Sequence, residues 1–317
     1  MAANGSYNSS NNVLTVTGDG LPSPVNSGTF PNANNSNTIT SYAFNHNFVY
    51  RGGSNTSDSG VVGLGAIGIA ANGVVFFNPS AGTDGSPPSG FSYVAAGIGS
   101  AVNYGEDSCG GYPESSGQYR YNDSDFIDCW NANQVMAGYN DYYGSSQYNG
   151  DNIRHPDGHS KIIGYSFDGY PVYGPYGYTD ANDNTTPVIR MSSGWTVRTQ
   201  EAPGRPAYDT TYPAGVFMED YEYTGGTGKL DTHNGRHCVT PEYPSGTFAY
   251  FLTEDNSGNP VFPFMMGLTS KEAMVVPAND GFTQTAPPTD DGGDTPDQPP
   301  TLVTVSYTHL RAHETEE

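Results

Sequence analysis

The chain has 317 residues, including 41 glycines, 24 prolines and 24 tyrosines, enough for one large β domain or two smaller ones. Its formal net charge is −22, and Lys161, Lys229 and Lys271 are its only lysines. That balance excludes a nucleic-acid backbone as partner, because such binding rests on cationic contacts to phosphates. No run reaches the ~20 apolar residues that span a bilayer, which excludes insertion by a transmembrane helix.

The N-terminal text, MAANGSYNSS, has neither a basic region nor an apolar core, so it does not read as a secretory signal. Residues 1–12 are rich in Asn and Ser and are expected to be disordered. The acidic, Lys-poor composition suits a protein in a salty exterior, where charge repulsion is screened. A virion or extracellular location reached without a signal, by assembly and lysis, is the expectation.

Val13 to Thr17 alternates as a short strand. Over residues 38–50, Tyr42, Phe44, His46, Phe48 and Tyr50 fall on one face, which makes His46 a half-buried strand residue in an aromatic row. GAIGIAANGVVFFNP (65–79) centres on Asn72-Gly73, a strong hairpin signal because a type I′ turn needs positive φ at both central residues. Ile67-Gly68, Asn72-Gly73 and Pro79 recur at the same spacing as Ile163-Gly164, Asp168-Gly169 and Pro175. This pattern predicts two copies of one hairpin, packed as related β units.

Long loops separate the copies, and NANQVMAG (131–138) predicts one short helix. Of three cysteines, Cys109 and Cys129 are a candidate disulfide; buried free thiols are the alternative. After the second hairpin, Phe248, Tyr250 and Leu252 alternate with Ala249 and Phe251. The expected fold is all-β over 13–280, mainly antiparallel hairpins with an internal duplication, long loops and little helix. Residues 281–300 form a Pro/Asp/Gly linker, and 301–305 begin a further, truncated module. Residues 306–317, SYTHLRAHETEE, resemble a translated sequencing adapter, so His309 and His313 are set aside.

HSKIIGYSFDGYPVYGPYGY, GVFMEDYEY and LDTHNGRHCVTPEYPSGTFAYF, in that order, resemble the YHYH domain family. SGTFPN (27–32) and GAIGIAANGVVFFNP resemble its N-terminal half, so the likeness covers roughly residues 13–267. The family occurs in bacteria, some eukaryotes and viruses, including marine bacteriophages, and the resemblance implies a fold and a context rather than a reaction. The family's Tyr-His-Tyr-His is altered here to Tyr119-Arg120-Tyr121-Asn122. Any metal or proton role of those histidines would be lost, since Arg120 neither titrates nor ligates in ordinary chemistry.

The remaining histidines fall in two turns, HPDGH with His155 and His159, and THNGRHC with His233 and His237. Together with Asp168 or Asp231 they could hold Zn²⁺, and Glu219 or Asp220 could serve as a general base. NDSDF (122–126) and DANDN (180–184) could bind Ca²⁺, but they lack a full EF-hand loop and read as solvated loops. No motif demands a cofactor. Aromatic and polar binding candidates are Tyr119, Arg120, Tyr121, Tyr142, Tyr143, Tyr148, Asp168, Tyr173, Tyr176, Tyr178, Asn234 and Arg236. The leading expectation is a non-enzymatic surface or virion structural module that meets a cell-surface glycan or protein, or other virion proteins. The alternative is a metal-dependent, hydrolase-like enzyme using the histidines.

Overall fold

The computed structural model describes residues 4–8, 13–22, 28–41, 43–54, 59–82, 85–96, 103–127, 129 and 153–274. The expected 131–138 helix, Tyr142, Tyr143, Tyr148, the linker and everything after it lie outside the described residues.

A mixed eight-stranded sheet organises the domain, in the order β15-β16-β10-β9-β5-β6-β8-β7. Its inner strands are the two predicted hairpins: β5 (Ala66–Ala70) with β6 (Val75–Phe77), and β9 (Ile162–Ser166) with β10 (Pro171–Tyr173). β5 and β9 pair antiparallel at the centre. Outside each lies a second hairpin, β7 (Gly111–Pro113) with β8 (Tyr119–Tyr121) on one side and β15 (Gly235–Cys238) with β16 (Thr247–Phe251) on the other. The hairpins are antiparallel, as expected of a mainly antiparallel all-β fold, and only the joins β6–β8 and β10–β16 within this sheet are parallel. They are parallel because long excursions, not tight turns, connect the hairpins.

The sheet therefore repeats itself about its centre, and the repeat extends beyond the predicted hairpins. Phe76 pairs with Tyr121 as Val172 pairs with Tyr250, and Gly111 faces Tyr121 as Gly235 faces Tyr250. Asp107 Oδ1 accepts the N–H groups of Cys109 and Gly111, and Asp231 Oδ1 accepts those of His233 and Gly235. Gly110 and Asn234 both adopt φ of 64°. DSCGG (107–111) and DTHNG (231–235) are thus a second repeated element.

Side chains alternate across the sheet, and both faces are buried. Phe76, Tyr121, Ile163, Val172, Phe248 and Tyr250 pack in one core. Val75, Phe77, Ile162, Tyr173, Ala249 and Phe251 pack in the other, under Leu14, Val16 and Phe44 of a three-stranded sheet. That smaller sheet is β1 (Asn4–Asn8), β2 (Val13–Gly18) and β3 (Phe44–Val49). The disorder expected for residues 1–12 is corrected for residues 4–8. Asn4–Asn8 pairs antiparallel with β2 along its whole length, so backbone hydrogen bonding orders a segment whose side chains are polar. His46 is fully buried, stacked on Phe44 at 4.6 Å and edge-on to Phe167 at 5.9 Å.

Short strand pairs complete the fold: β11 (Tyr176–Tyr178) with β12 (Val188–Arg190), β13 (Trp195–Val197) with β14 (Tyr221–Tyr223), and β17 (Thr269–Ser270) with β4 (Gly60–Val61). A 3₁₀ turn, Met218–Asp220, precedes β14. Cys109 and Cys129 form a disulfide across 20 residues, a closure worth about 3 kcal/mol in the chain-entropy view.

The twin turns differ in what their Asn or Asp side chain holds. Asn72 Nδ2 donates to the Tyr121 hydroxyl at 2.9 Å, while the Asp168 carboxylate accepts the Tyr250 hydroxyl at 2.5 Å and the Glu272 N–H at 3.2 Å. Removing a buried acceptor strands its donors. Asp168→Ala should cost about 3 kcal/mol or more and Asn72→Ala about 1–2 kcal/mol, read by urea unfolding. Equal costs would show that the carboxylate contributes no more than its amide twin.

Candidate functional site

The chain after the second hairpin repeats the backbone course of the first, since Tyr176 pairs with Arg190 as Ser80 pairs with Val94, and the Met191 N–H meets the Pro175 carbonyl as the Ala95 N–H meets that of Pro79. The side chains differ, and those of the second copy gather with the HPDGH turn. The HPDGH turn closes through His155 N–H to His159 O at 2.8 Å and Gly158 N–H to His155 O at 2.8 Å. Asp157 caps it by accepting the His159 N–H at 3.0 Å and the Tyr178 hydroxyl at 2.5 Å. Burial raises the Asp157 carboxyl, but these two donors outweigh it and hold the group below the ordinary aspartate range.

Opposite the turn stands Glu242. Its Oε1 lies 2.6 Å from His155 Nε2, and its Oε2 lies 3.0 Å from the Tyr173 hydroxyl, itself 2.9 Å from Thr240 Oγ1. A carboxylate fixing a half-buried imidazole is the orienting half of an acid–base pair. Glu242 was not a candidate in the sequence: it sits 87 residues from His155, in a loop with no local signal.

His159 is fully buried among Tyr178, Tyr173 and Phe251, with ring centroids 4.7, 5.3 and 6.2 Å away. Its Nδ1 is 2.6 Å from the Ser160 carbonyl, so Nδ1 carries the hydrogen, and Nε2 has no hydrogen-bond partner. Burial lowers its pKa to about 4 against the opposing pull of that carbonyl and of Glu242.

Next to this cluster, Tyr176 carries two guanidinium groups. Arg154 lies over its ring at 3.4 Å, and Arg190, its partner across β11–β12, lies 5.4 Å from the ring centre and donates to its hydroxyl at 2.8 Å. Tyr176, Arg154 and Arg190 are all half-exposed.

The other histidine pair does not join this site. His159 packs on Phe251 and His233 on Phe248, residues that face opposite sides of β16. The sheet therefore separates the two pairs. His233 Nδ1 sits 2.8 Å from Thr269 Oγ1, and His237 is exposed on β15. Among the described residues, no group of three His, Cys, Asp or Glu side chains is placed to hold a metal ion.

Most other candidates serve the fold. The binding candidates Tyr119, Tyr121, Tyr173, Asp168 and Asn234 are buried, because on a sheet covered on both faces alternate residues have no direct route to solvent. Arg120 is buried between the Phe77 and Tyr112 rings, 4.4 Å from each, and pairs with Glu114. Arg236 donates to the Tyr178 carbonyl at 2.6 Å. Asn234 donates to the Phe251 carbonyl at 3.0 Å, and Asp231 is spent on the His233 and Gly235 N–H groups. The proposed bases are occupied too. Asp220 forms a fully buried ion pair with Arg205, and Glu219 accepts the Ser92 N–H at 3.0 Å.

A family model described as YHYH protein matches residues 46–263. No curated protein and no solved structure matches the chain.

His159 has a pH signature. Its pKa is about 4 in the fold and 6.5 ordinarily, so the unfolded chain takes up the proton first as pH falls. Its contribution is complete above about pH 6.5 and is lost progressively down to pH 4, by up to about 3 kcal/mol. Urea unfolding at pH 7 and pH 4.5 should show a smaller acid loss for His159→Gln than for the wild type. Identical losses would remove His159 from the acid response.

Proposed function

Because the chain belongs to the YHYH family, a membership that names no reaction, we propose that it is a non-enzymatic surface or virion structural module that attaches to a cell-surface glycan or protein. The observation that carries this reading is the half-exposed Tyr176 with Arg154 and Arg190 packed on its ring. Aromatic faces edged by guanidinium donors suit sugar rings and protein surfaces, and cost little side-chain entropy to order. The first copy holds Ser80 and Val94 where the second holds Tyr176 and Arg190, so the repeated backbone does not itself require these side chains.

The chemistry-bearing side chains point the same way. Asp107, Asp168, Asp220, Asp231 and Asn234 each satisfy buried or turn-forming backbone and side-chain groups. A general base must be free to reach a substrate proton, and these are held by the fold.

The test is a glycan array with whole-cell binding, using the full chain and the variants Tyr176→Ala and Arg190→Ala, alongside metal analysis and a small-substrate turnover screen. Binding should weaken roughly tenfold or more in either variant, as for an aromatic or arginine contact at the centre of an interface. Turnover of a substrate with no binding to any glycan or cell would overturn the reading.

A further inference from the structure

The repeated backbone is covered in one half and left open in the other. After the first hairpin the chain returns along residues 92–94, and the extended segment 216–218 lies antiparallel against its outer side. The Val94 N–H donates to the Val216 carbonyl at 3.0 Å, and the Met218 N–H to the Ser92 carbonyl at 2.8 Å. Between them Tyr93 bridges to Phe217, and their rings stack at 5.2 Å. Glu219 ends the segment by accepting the Ser92 N–H at 3.0 Å. Tyr93, Val94, Val216 and Phe217 are all buried.

In the second half β12 holds the same place. Because Tyr176–Arg190 matches Ser80–Val94, the residues Val188, Ile189 and Arg190 stand where Ser92, Tyr93 and Val94 stand. The Met191 N–H bonds the Pro175 carbonyl and the Thr179 N–H the Pro187 carbonyl, both at 2.8 Å. Antiparallel alternation in that register turns the N–H and C=O groups of Val188 and Arg190 away from β11. Among the described residues nothing bonds these four groups. Ile189, where the first half buries Tyr93 at 4 % exposure, is 39 % exposed.

We propose that β12 accepts an extended strand of a partner protein, antiparallel, with an aromatic or large apolar residue opposite Ile189. An edge with unpaired backbone groups and an exposed apolar side chain is a template for strand addition. Main-chain bonds then supply affinity, and the residue opposite Ile189 supplies selectivity. The covered half defines the chemistry of the occupant, a short apolar run such as Val216, Phe217 and Met218 followed by a carboxylate. That carboxylate would take the Val188 N–H as Glu219 takes that of Ser92. Residues 216–218 are themselves paired in the fold, so a second folded copy cannot lend them. The edge adjoins the Tyr176 platform through Arg190 but does not depend on it, since backbone groups and Ile189 read the strand.

The test is a fluorescein-labelled peptide of residues 214–221, AGVFMEDY, added to the full chain. Fluorescence anisotropy follows binding, and hydrogen exchange follows β12 at low and high protein concentration. The peptide should bind saturably and slow exchange of the Val188 and Arg190 amides roughly tenfold or more. Val188→Pro removes an outward N–H and leaves the bonds to β11 intact, so it should weaken the peptide by roughly tenfold or more. Should that variant fold poorly, Ile189→Asp, at an exposed side chain, should do the same by charging the edge. A peptide carrying Phe217→Ala should also bind more weakly. Tyr176→Ala should lose glycan or cell binding and keep the peptide, so failure of one reading is distinguishable from failure of the other. No peptide binding, or equal binding by Val188→Pro and Ile189→Asp, would overturn the proposal. So would amides of β12 already protected without peptide: protection independent of concentration would assign the edge to another segment of the chain, and protection rising with concentration to a second copy.

Discussion

A carboxylate sealed from water at Asp168 holds the rest of the domain in place. Burial raises its pKa, and the fold answers with donors from separate stretches of chain. Ser166 and Tyr170 come from its own hairpin, Tyr250 from the parallel neighbour β16, and Glu272 from just beyond β17. The Tyr250 hydroxyl also takes the Lys271 N–H at 2.7 Å, so the final described segment is tied to the sheet through the same pair. The turn docks the small sheet as well: Arg51 N–H donates to the Gly169 carbonyl, and its guanidinium donates to the Asp168 carbonyl. Gly169, at φ of 93°, lies so close to the Val49 carbonyl that a side chain there would collide with it. A buried charge is a poor source of net stability, but it fixes one arrangement of everything it touches.

The first half uses the same geometry with a neutral amide. Asn72 meets Tyr121 as Asp168 meets Tyr250, yet among the described residues no segment matching Glu272 donates to it. The duplicated scaffold is thus a pair of double hairpins, and each copy has diverged at one end. The second copy carries the His155–Glu242 contact and, where the first has Ser80 and Val94, the paired Tyr176 and Arg190. The first carries Glu106, Asn122 and Asp123 at the positions where the second has the buried Leu230, Phe251 and Leu252. A structural repeat acts as an internal control: residues that match serve the fold, and buried mismatches call for another explanation.

The hairpins were legible because their signal is local, although the turns are not type I′: at Asn72-Gly73 and Asp168-Gly169 only the glycines take positive φ, and their N–H groups close on the Ala70 and Ser166 carbonyls. The second repeat, DSCGG against DTHNG, was also present in the sequence, but Cys109 and His233 differ in chemistry and the loops between differ in length, which hid the alignment. What could not be read was burial. Tyr119, Tyr121 and Tyr173 resemble binding tyrosines until the parallel joins β6–β8 and β10–β16 bury them, and those joins are set by contacts far apart in sequence. His159 and His233 both meet β16, at Phe251 and Phe248, but strand alternation puts those contacts on opposite faces. Glu242, remote from His155 in sequence, is the clearest case of a site residue visible only after folding.

Charge decides how such a protein can meet a partner. With a net charge of −22, cations are scarce, and most described arginines are committed within the fold: Arg51, Arg198 and Arg236 to carbonyls, Arg120 and Arg205 to carboxylates. Arg154 and Arg190 gather on one half-exposed tyrosine ring, with Arg190 also facing Glu254 at 4.0 Å. The field of the whole molecule repels anions at long range, whereas screening confines it to about 8 Å at physiological salt. Electrostatic steering toward an acidic partner is therefore unfavourable, and the platform's arginines act only on what already touches Tyr176. The proposed sugar or protein partner would therefore be held there by stacking and directed hydrogen bonds at contact distance, the mode that suits a largely neutral surface.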